Sequence, residues 1–158
     1  MKQLIMKQGE TSIRETTTVV NRKGKEEYTV IISSEKDTPK ITVKTIGKEI
    51  VAVVKEVEMG AEEKYIIEVD NEVVFNVEKE MLTHGSNYIV ESKEMHTEGY
   101  LSKMSFEIML GYRKVAKVRK RWIATEDSYE LTIFEPENEL SLVALLSLLD
   151  FVNFSTVS

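Results

Sequence analysis

The run Leu140-Ser141-Leu142-Val143-Ala144-Leu145-Leu146-Ser147-Leu148-Leu149-Asp150-Phe151-Val152 decides the fold. Ten of its thirteen residues are apolar, the exceptions being Ser141, Ser147 and Asp150. Just upstream, Glu135-Pro136-Glu137-Asn138-Glu139 supplies helix-start chemistry: a proline suited to a first turn, carboxylates near the positive end of the macrodipole, and Asn138 as a cap. These signals predict a helix over 138–152. With about 100° of rotation per residue, the three polar positions do not gather with charged neighbours into the stripe that a surface helix shows. A helix apolar nearly all round must be enclosed by protein or lipid. At ~1.5 Å per residue this one reaches ~20 Å, too short to cross a bilayer, so protein encloses it. Burying its apolar side chains contributes a gross gain on the order of 15 to 25 kcal/mol, more than the ~5 to 15 kcal/mol by which a whole domain is stable. The rest of the chain must therefore be built around this helix.

That rest reads as strands. Six of the seven glycines (Gly24, Gly47, Gly60, Gly85, Gly99 and Gly111) stand beside charged or Ser/Thr/Asn residues between apolar runs, which is turn chemistry. Between them, segments such as Tyr28-Thr29-Val30-Ile31-Ile32, Ile41-Thr42-Val43, Tyr65-Ile66-Ile67-Glu68-Val69 and Tyr129-Glu130-Leu131-Thr132-Ile133 alternate with a period near two and are rich in β-branched residues. Short strands without helical patterns between them argue an antiparallel all-β fold rather than βαβ units. Antiparallel strands that surround a helix on all sides make a closed barrel. No Pro- or Gly-rich linker divides the chain, which predicts one domain over 1–154 and a disordered tail at 155–158.

Three segments resemble one another: Ile50-Val51-Ala52-Val53-Val54-Lys55, Val74-Phe75-Asn76-Val77-Glu78-Lys79 and Val115-Ala116-Lys117-Val118-Arg119-Lys120. Each follows a turn-like stretch, as the return strand of any hairpin would, and the match also fits a repeated hairpin in a meandering barrel. Their spacings of 24 and 41 residues are unequal, which excludes a solenoid.

Composition removes several chemistries. The 158 residues are 42% hydrophobic and 30% charged, with a net charge of −6 and no cysteine. Thiolate metal sites, disulfide frameworks and cysteine nucleophiles are thereby excluded. Neither the start Met1-Lys2-Gln3-Leu4-Ile5-Met6-Lys7 nor any other run has the length of a secretory or membrane-spanning segment, so the expected location is cytoplasmic or peripheral to a membrane. His84 and His96 sit in turn-like contexts with carboxylates at no recognised metal-ligand spacing and read as surface histidines, so no metal or cofactor is expected. No nucleophile elbow, zinc-protease helix, dinucleotide-binding turn or P-loop occurs, and no catalytic carboxylate pair stands out. Asn153-Phe154-Ser155 matches a glycosylation sequon by chance, and Trp122 reads as a core residue or a ligand-stacking one.

The charge is unevenly placed. Arg113, Lys114, Lys117, Arg119, Lys120 and Arg121 are six cations within nine residues, which leaves 15 basic against 27 acidic residues elsewhere. On a strand, Ala116, Val118 and Trp122 share one face with Lys120, while Lys117, Arg119 and Arg121 line the other. A basic ladder of this kind binds phosphate groups by charge-assisted hydrogen bonds. The competing reading is a solvated barrel face paired with acids such as Glu130 and Glu135. Nucleic acid is a poor partner for a chain with a pI near 5.1 and a single basic patch.

The run Trp122-Ile123-Ala124-Thr125-Glu126-Asp127-Ser128-Tyr129-Glu130-Leu131, then Glu137-Asn138-Glu139 and Leu142 to Asp150, resembles the C-terminal signature of the LURP-one-related family. Leu4-Ile5-Met6-Lys7-Gln8 and the hairpin from Phe106-Glu107-Ile108 to Val115-Ala116-Lys117-Val118 are similar too. The resemblance implies a barrel of about twelve strands around a central hydrophobic helix, like that of the tubby C-terminal domain and the phospholipid scramblases. These residues include no counterpart of the extra C-terminal membrane segment of a scramblase, so lipid scrambling by that route is not expected. Resemblance and basic ladder together lead to a non-enzymatic binding module for anionic lipid head groups or a similar ligand, with Lys117, Arg119 and Arg121 as the candidate site. The alternative is a structural or protein-interaction domain that presents strand edges and loops to a protein partner.

Overall fold

The alternating segments become twelve strands in the computed structural model, which describes residues 1–8, 15–35, 38–47, 50–56, 63–83, 85–92, 94–123 and 126–154. The expected tail at 155–158 lies outside the described residues. The strands are β1 (Lys2–Lys7), β2 (Thr16–Asn21), β3 (Glu26–Glu35), β4 (Thr38–Thr45), β5 (Ile50–Glu56) and β6 (Lys64–Val69) in the first half. The second half adds β7 (Glu72–Leu82), β8 (Gly85–Glu91), β9 (Met95–Tyr100), β10 (Ser105–Leu110), β11 (Arg113–Ile123) and β12 (Glu126–Ile133), followed by one helix, α1 (Glu139–Phe154).

The strands form a single sheet in the order β8-β7-β6-β5-β4-β3-β2-β1-β12-β11-β10-β9. Every neighbouring pair whose register is defined is antiparallel, and almost all are simple hairpin meanders. The exception closes the structure: the first strand lies beside the last, with Leu4 opposite Leu131 and Met6 opposite Tyr129. The ends of the order, β8 and β9, meet without a strand ladder among the described residues; there the Ser102 N–H donates to Asn87 Oδ1 at 3.2 Å. The barrel is thus nearly closed, with one seam.

The helix fills it. Ten consecutive residues, Ser141 to Asp150, are buried, and ten residues at ~100° each point in every direction around the axis. Leu142, Leu145, Leu146 and Leu149 pack with inward residues of the strands, among them Leu4, Val43, Ile67, Phe75, Phe106 and Leu131, in one core. The two buried serines cost little because each hydroxyl donates to a nearby backbone carbonyl, Ser141 to Asn138 just ahead of the helix and Ser147 to Val143 within it, both at 2.9 Å. No helix among the described residues is long and apolar enough to cross a membrane.

Two sequence expectations change in detail. The Pro136–Asn138 stretch forms its own 3-10 turn, so α1 begins at Glu139 and runs on to Phe154. The three similar segments do lie on return strands, β5, β7 and β11, but they are not in phase. Phe75 and Val77 are buried at the second and fourth positions of one, as are Ala116 and Val118 of another; in the first, Ala52 and Val54 occupy the third and fifth. A shared hairpin shape, not a repeated unit, explains the match.

The β10–β11 ladder shifts register after Ile108, and Val115 is the extra residue of the resulting bulge. Its side chain is fully buried and its carbonyl accepts the Phe134 N–H at 2.8 Å, which fastens the chain leaving β12 for the helix.

Candidate functional site

Below this bulge the alternation of β11 resumes: Ala116 and Val118 are buried in the barrel, and Lys117, Arg119 and Arg121 face outward, as expected. Lys120 shares the inward side by alternation and is exposed nonetheless. On either flank the antiparallel register sets a carboxylate against the cations. Glu107 on β10 lies opposite Lys117, and Glu130 on β12 lies opposite Arg119.

The side chains reach diagonally across these ladders. Arg119 donates from Nη2 to Glu107 Oε1 at 3.3 Å and from Nη1 to the carbonyls of Val118 (3.0 Å) and Phe106 (3.4 Å). Lys114 Nζ lies 3.2 Å from the other Glu107 oxygen. Arg121 Nη1 donates to Glu130 Oε2 at 2.8 Å, and the opposite Glu130 oxygen accepts from Gln3 Nε2 on β1 at 2.9 Å. Arg113 pairs with Glu135 just beyond β12. Three carboxylates therefore serve four of the six cations, and Lys117 and Lys120 pair with no carboxylate among the described residues. Both arginine side chains stay substantially open to solvent, at 45% for Arg119 and 39% for Arg121, and their guanidiniums have donors to spare.

The acids anticipated from sequence, Glu130 and Glu135, are both in place; Glu107 was not anticipated. A plain two-residue turn at Gly111-Tyr112 would set Glu107 against Ala116, and the Val115 bulge moves it to Lys117. His84 and the Trp122 side chain lie outside the described residues. His96 is exposed on β9, 3.5 Å from Glu98, and no group of three or more metal-ligating side chains occurs among the described residues. The Asn153 amide donates to Met104 Sδ at 3.5 Å at the end of the barrel where α1 ends.

The wall from β5 to β8 has the opposite character. Glu68, Glu78, Glu80 and Glu91 share the outward face with Ile66, Asn76 and Ile89; among the described residues the cations of this wall are Lys55, 3.2 Å from Glu68, Lys64, 3.9 Å from Glu78, and Lys79, 3.9 Å from Glu63. A shallow cavity of about 270 Å³ opens over Ile66, Asn76 and Ile89. The molecule is thus a barrel with a basic wall and an acidic wall on different sides.

A family model described as LURP-one-related matches residues 2–150. Among solved structures, an X-ray structure of an Arabidopsis thaliana protein matches with a TM-score of 0.62 at 12% identity, covering 96% of this chain and 91% of that one. That likeness concerns the fold alone. No curated protein matches the sequence.

Proposed function

The chain belongs to the LURP-one-related family, and from that premise we propose that it is a non-enzymatic module that binds anionic lipid head groups on the wall of β10, β11 and β12. The observation that carries this reading is the separation of charge between the two walls. A net charge of −6, taken as a whole, would repel an anionic surface. Interactions between exposed charges fade over ~8 Å at physiological salt, whereas a helix of ~10 Å diameter with a sheet packed on either side sets β5 and β6, which lie across the barrel from β11 in the strand order, roughly 20 Å from it. The near wall governs the encounter, and the acids of β6 and β7 are screened from it.

The chemistry of that wall suits phosphate. Arg119 and Arg121 each satisfy one carboxylate and keep further N–H groups for phosphate oxygens, the forked geometry at which arginine excels. Lys117, half-buried between them and Glu107, supplies a compact positive charge. Binding by such a surface weakens steeply as salt rises.

Co-sedimentation with anionic liposomes tests the reading, comparing the intact chain with the Arg119→Glu, Arg121→Glu double variant. Binding by the intact chain at low salt, lost in the variant, is the expected result. Absence of binding by the intact chain at any salt would overturn it and leave a structural or protein-interaction role.

A further inference from the structure

Seven large apolar side chains are exposed among the described residues, and they are not scattered. Five of them (Met1, Ile46, Val73, Tyr112 and Phe134) lie at one end of the barrel, the end where α1 begins. This end carries the start of β1, the exit of β12 and the turns β2–β3, β4–β5, β6–β7 and β10–β11.

The strand order divides this rim into two arcs. Because β1 separates β2 from β12, the β2–β3 turn, Met1, Phe134 and the β10–β11 turn follow one another around one side. The β2–β3 turn brings Arg22, Lys23 and Lys25, all exposed and paired with no carboxylate among the described residues. The β10–β11 turn brings Tyr112, entirely exposed, beside Arg113 and Lys114. The acids of this arc are Glu26, Glu27, Glu135, Glu137 and Glu139; of these, Glu27 and Glu139 hold Lys2, and Glu135 holds Arg113. The other arc carries Asp70, Glu72, Glu91 and Glu94. Apolar tips beside Arg22, Lys23 and Lys25, unpaired among the described residues, on one arc, and acids on the other, match the interface of an anionic bilayer: aromatic rings settle at head-group depth, and cations near the surface are drawn to the anionic head groups.

We propose that the arc from the β2–β3 turn to the β10–β11 turn seats the protein on an anionic bilayer, with Tyr112 and Phe134 entering the interface. This rests on the lipid-binding reading above and deepens it: the basic face of β11 descends from the same arc, so head groups that meet Lys117 and Arg119 lie beside a barrel already anchored at its rim. Tyr112 has the right form for an anchor. It sits at a hairpin tip where Gly111 takes a positive φ of 63°, it packs on nothing, and its hydroxyl can stay hydrated while its ring is withdrawn from water.

The chain has no cysteine, so a single introduced one labels a chosen site. Tyr112→Cys and, on the acidic arc, Glu72→Cys are each coupled to an environment-sensitive fluorophore in the full chain. Each is mixed with vesicles of phosphatidylcholine alone or with about 30 mol % phosphatidylserine. The expected result is a blue shift at position 112 with the anionic vesicles and none at position 72. Separately, unlabelled Tyr112→Ser should partition on the order of fivefold more weakly and Tyr112→Trp at least as well as the intact chain. If the intact chain binds these vesicles and Arg119→Glu with Arg121→Glu abolishes binding while the label at 112 stays in water, the rim anchor is wrong and the β11 site stands. If the intact chain binds neither vesicle, both fall.

Discussion

The Tyr28 hydroxyl donates to the carboxylate of Glu139, joining β3 to the first residue of the enclosed helix. Lys2 Nζ, on β1, lies 3.0 Å from the same carboxylate and 3.5 Å from Glu27. Three elements far apart in sequence are held at one point of the barrel's end, where the helix begins. Tyr28→Phe removes the hydroxyl and leaves a partly buried carboxylate with one partner fewer, which should cost about 1 to 2 kcal/mol and lower Tm by roughly 3 to 6 °C. A melting temperature unchanged by the substitution would show that the hydrogen bond is replaced by water at no cost.

Little of that clamp was readable beforehand, whereas the enclosure of α1 was. A run with apolar residues on every side admits only burial, so Leu140 to Val152 dictated a surrounding wall before any strand was paired. The outward set Lys117, Arg119 and Arg121 was also readable, because period-two alternation is local. What local pattern does not encode is register. The bulge at Val115 inserts one residue, and with it Glu107 becomes the acid facing Lys117 and shared by Lys114 and Arg119. The phase of the Ile50–Lys55 segment shifts in the same way, since the β4–β5 ladder changes register between Val43 and Lys44 and leaves Val51 as an extra residue inside it. The meeting of Tyr28 with Glu139 depends on β1 closing against β12, a contact between chain ends that no spacing along the sequence announces.

Alkali should unfold the protein through its tyrosines. Burial, and then the carboxylate of Glu63, push Tyr88 up to about 12. Tyr65 is raised further by burial, Glu63 and Glu56, and Tyr28 by burial and Glu139. Each folded value stands above the unfolded value of about 10, so the fold favours the neutral phenol. This stability is complete below pH ~10 and is lost as pH rises toward and past the folded values, by at most ~1.4 kcal/mol per pH unit for each tyrosine. Urea midpoints measured from about pH 9 to 11.5 should fall, and should fall less steeply in Tyr88→Phe. Parallel slopes for the two proteins would exclude Tyr88 as a source.

Gly99 and Gly111 both take positive φ, at 114° and 63°, but only one is crowded. A Cβ on Gly99 would stand 2.7 Å from the Ser105 carbonyl oxygen and 2.9 Å from Phe106 Cα, backbone atoms of the strand it pairs with; a Cβ on Gly111 meets nothing within 4 Å. Gly111→Ala should therefore cost about 1 kcal/mol, the left-handed conformation alone. Gly99→Ala adds a clash that only a shift of β9 against β10 can relieve, and should cost 3 kcal/mol or more, on the order of the strain terms seen at over-determined backbone sites. Chemical denaturation of the two variants side by side measures the difference, and equal losses would mean that β9 moves freely at the seam.

Enclosure of the helix makes the strongest demand. Leu145 is 1% exposed at the middle of α1, with sheet on every side. Leu145→Ala leaves a cavity and should cost about 2 to 5 kcal/mol while keeping the fold. Leu145→Asp places a carboxylate where no solvent reaches; the group must ionise without hydration or fold protonated, either of which costs several kcal/mol beyond the cavity. Since a domain of this size is stable by only ~5 to 15 kcal/mol in all, the aspartate variant should lack a cooperative melt by circular dichroism while the alanine variant retains one. The pair is informative because the two side chains remove similar packing and differ in charge. A native-like cooperative melt for Leu145→Asp would mean that water reaches the middle of the helix, and the barrel would then have to be open along the β8–β9 seam in solution.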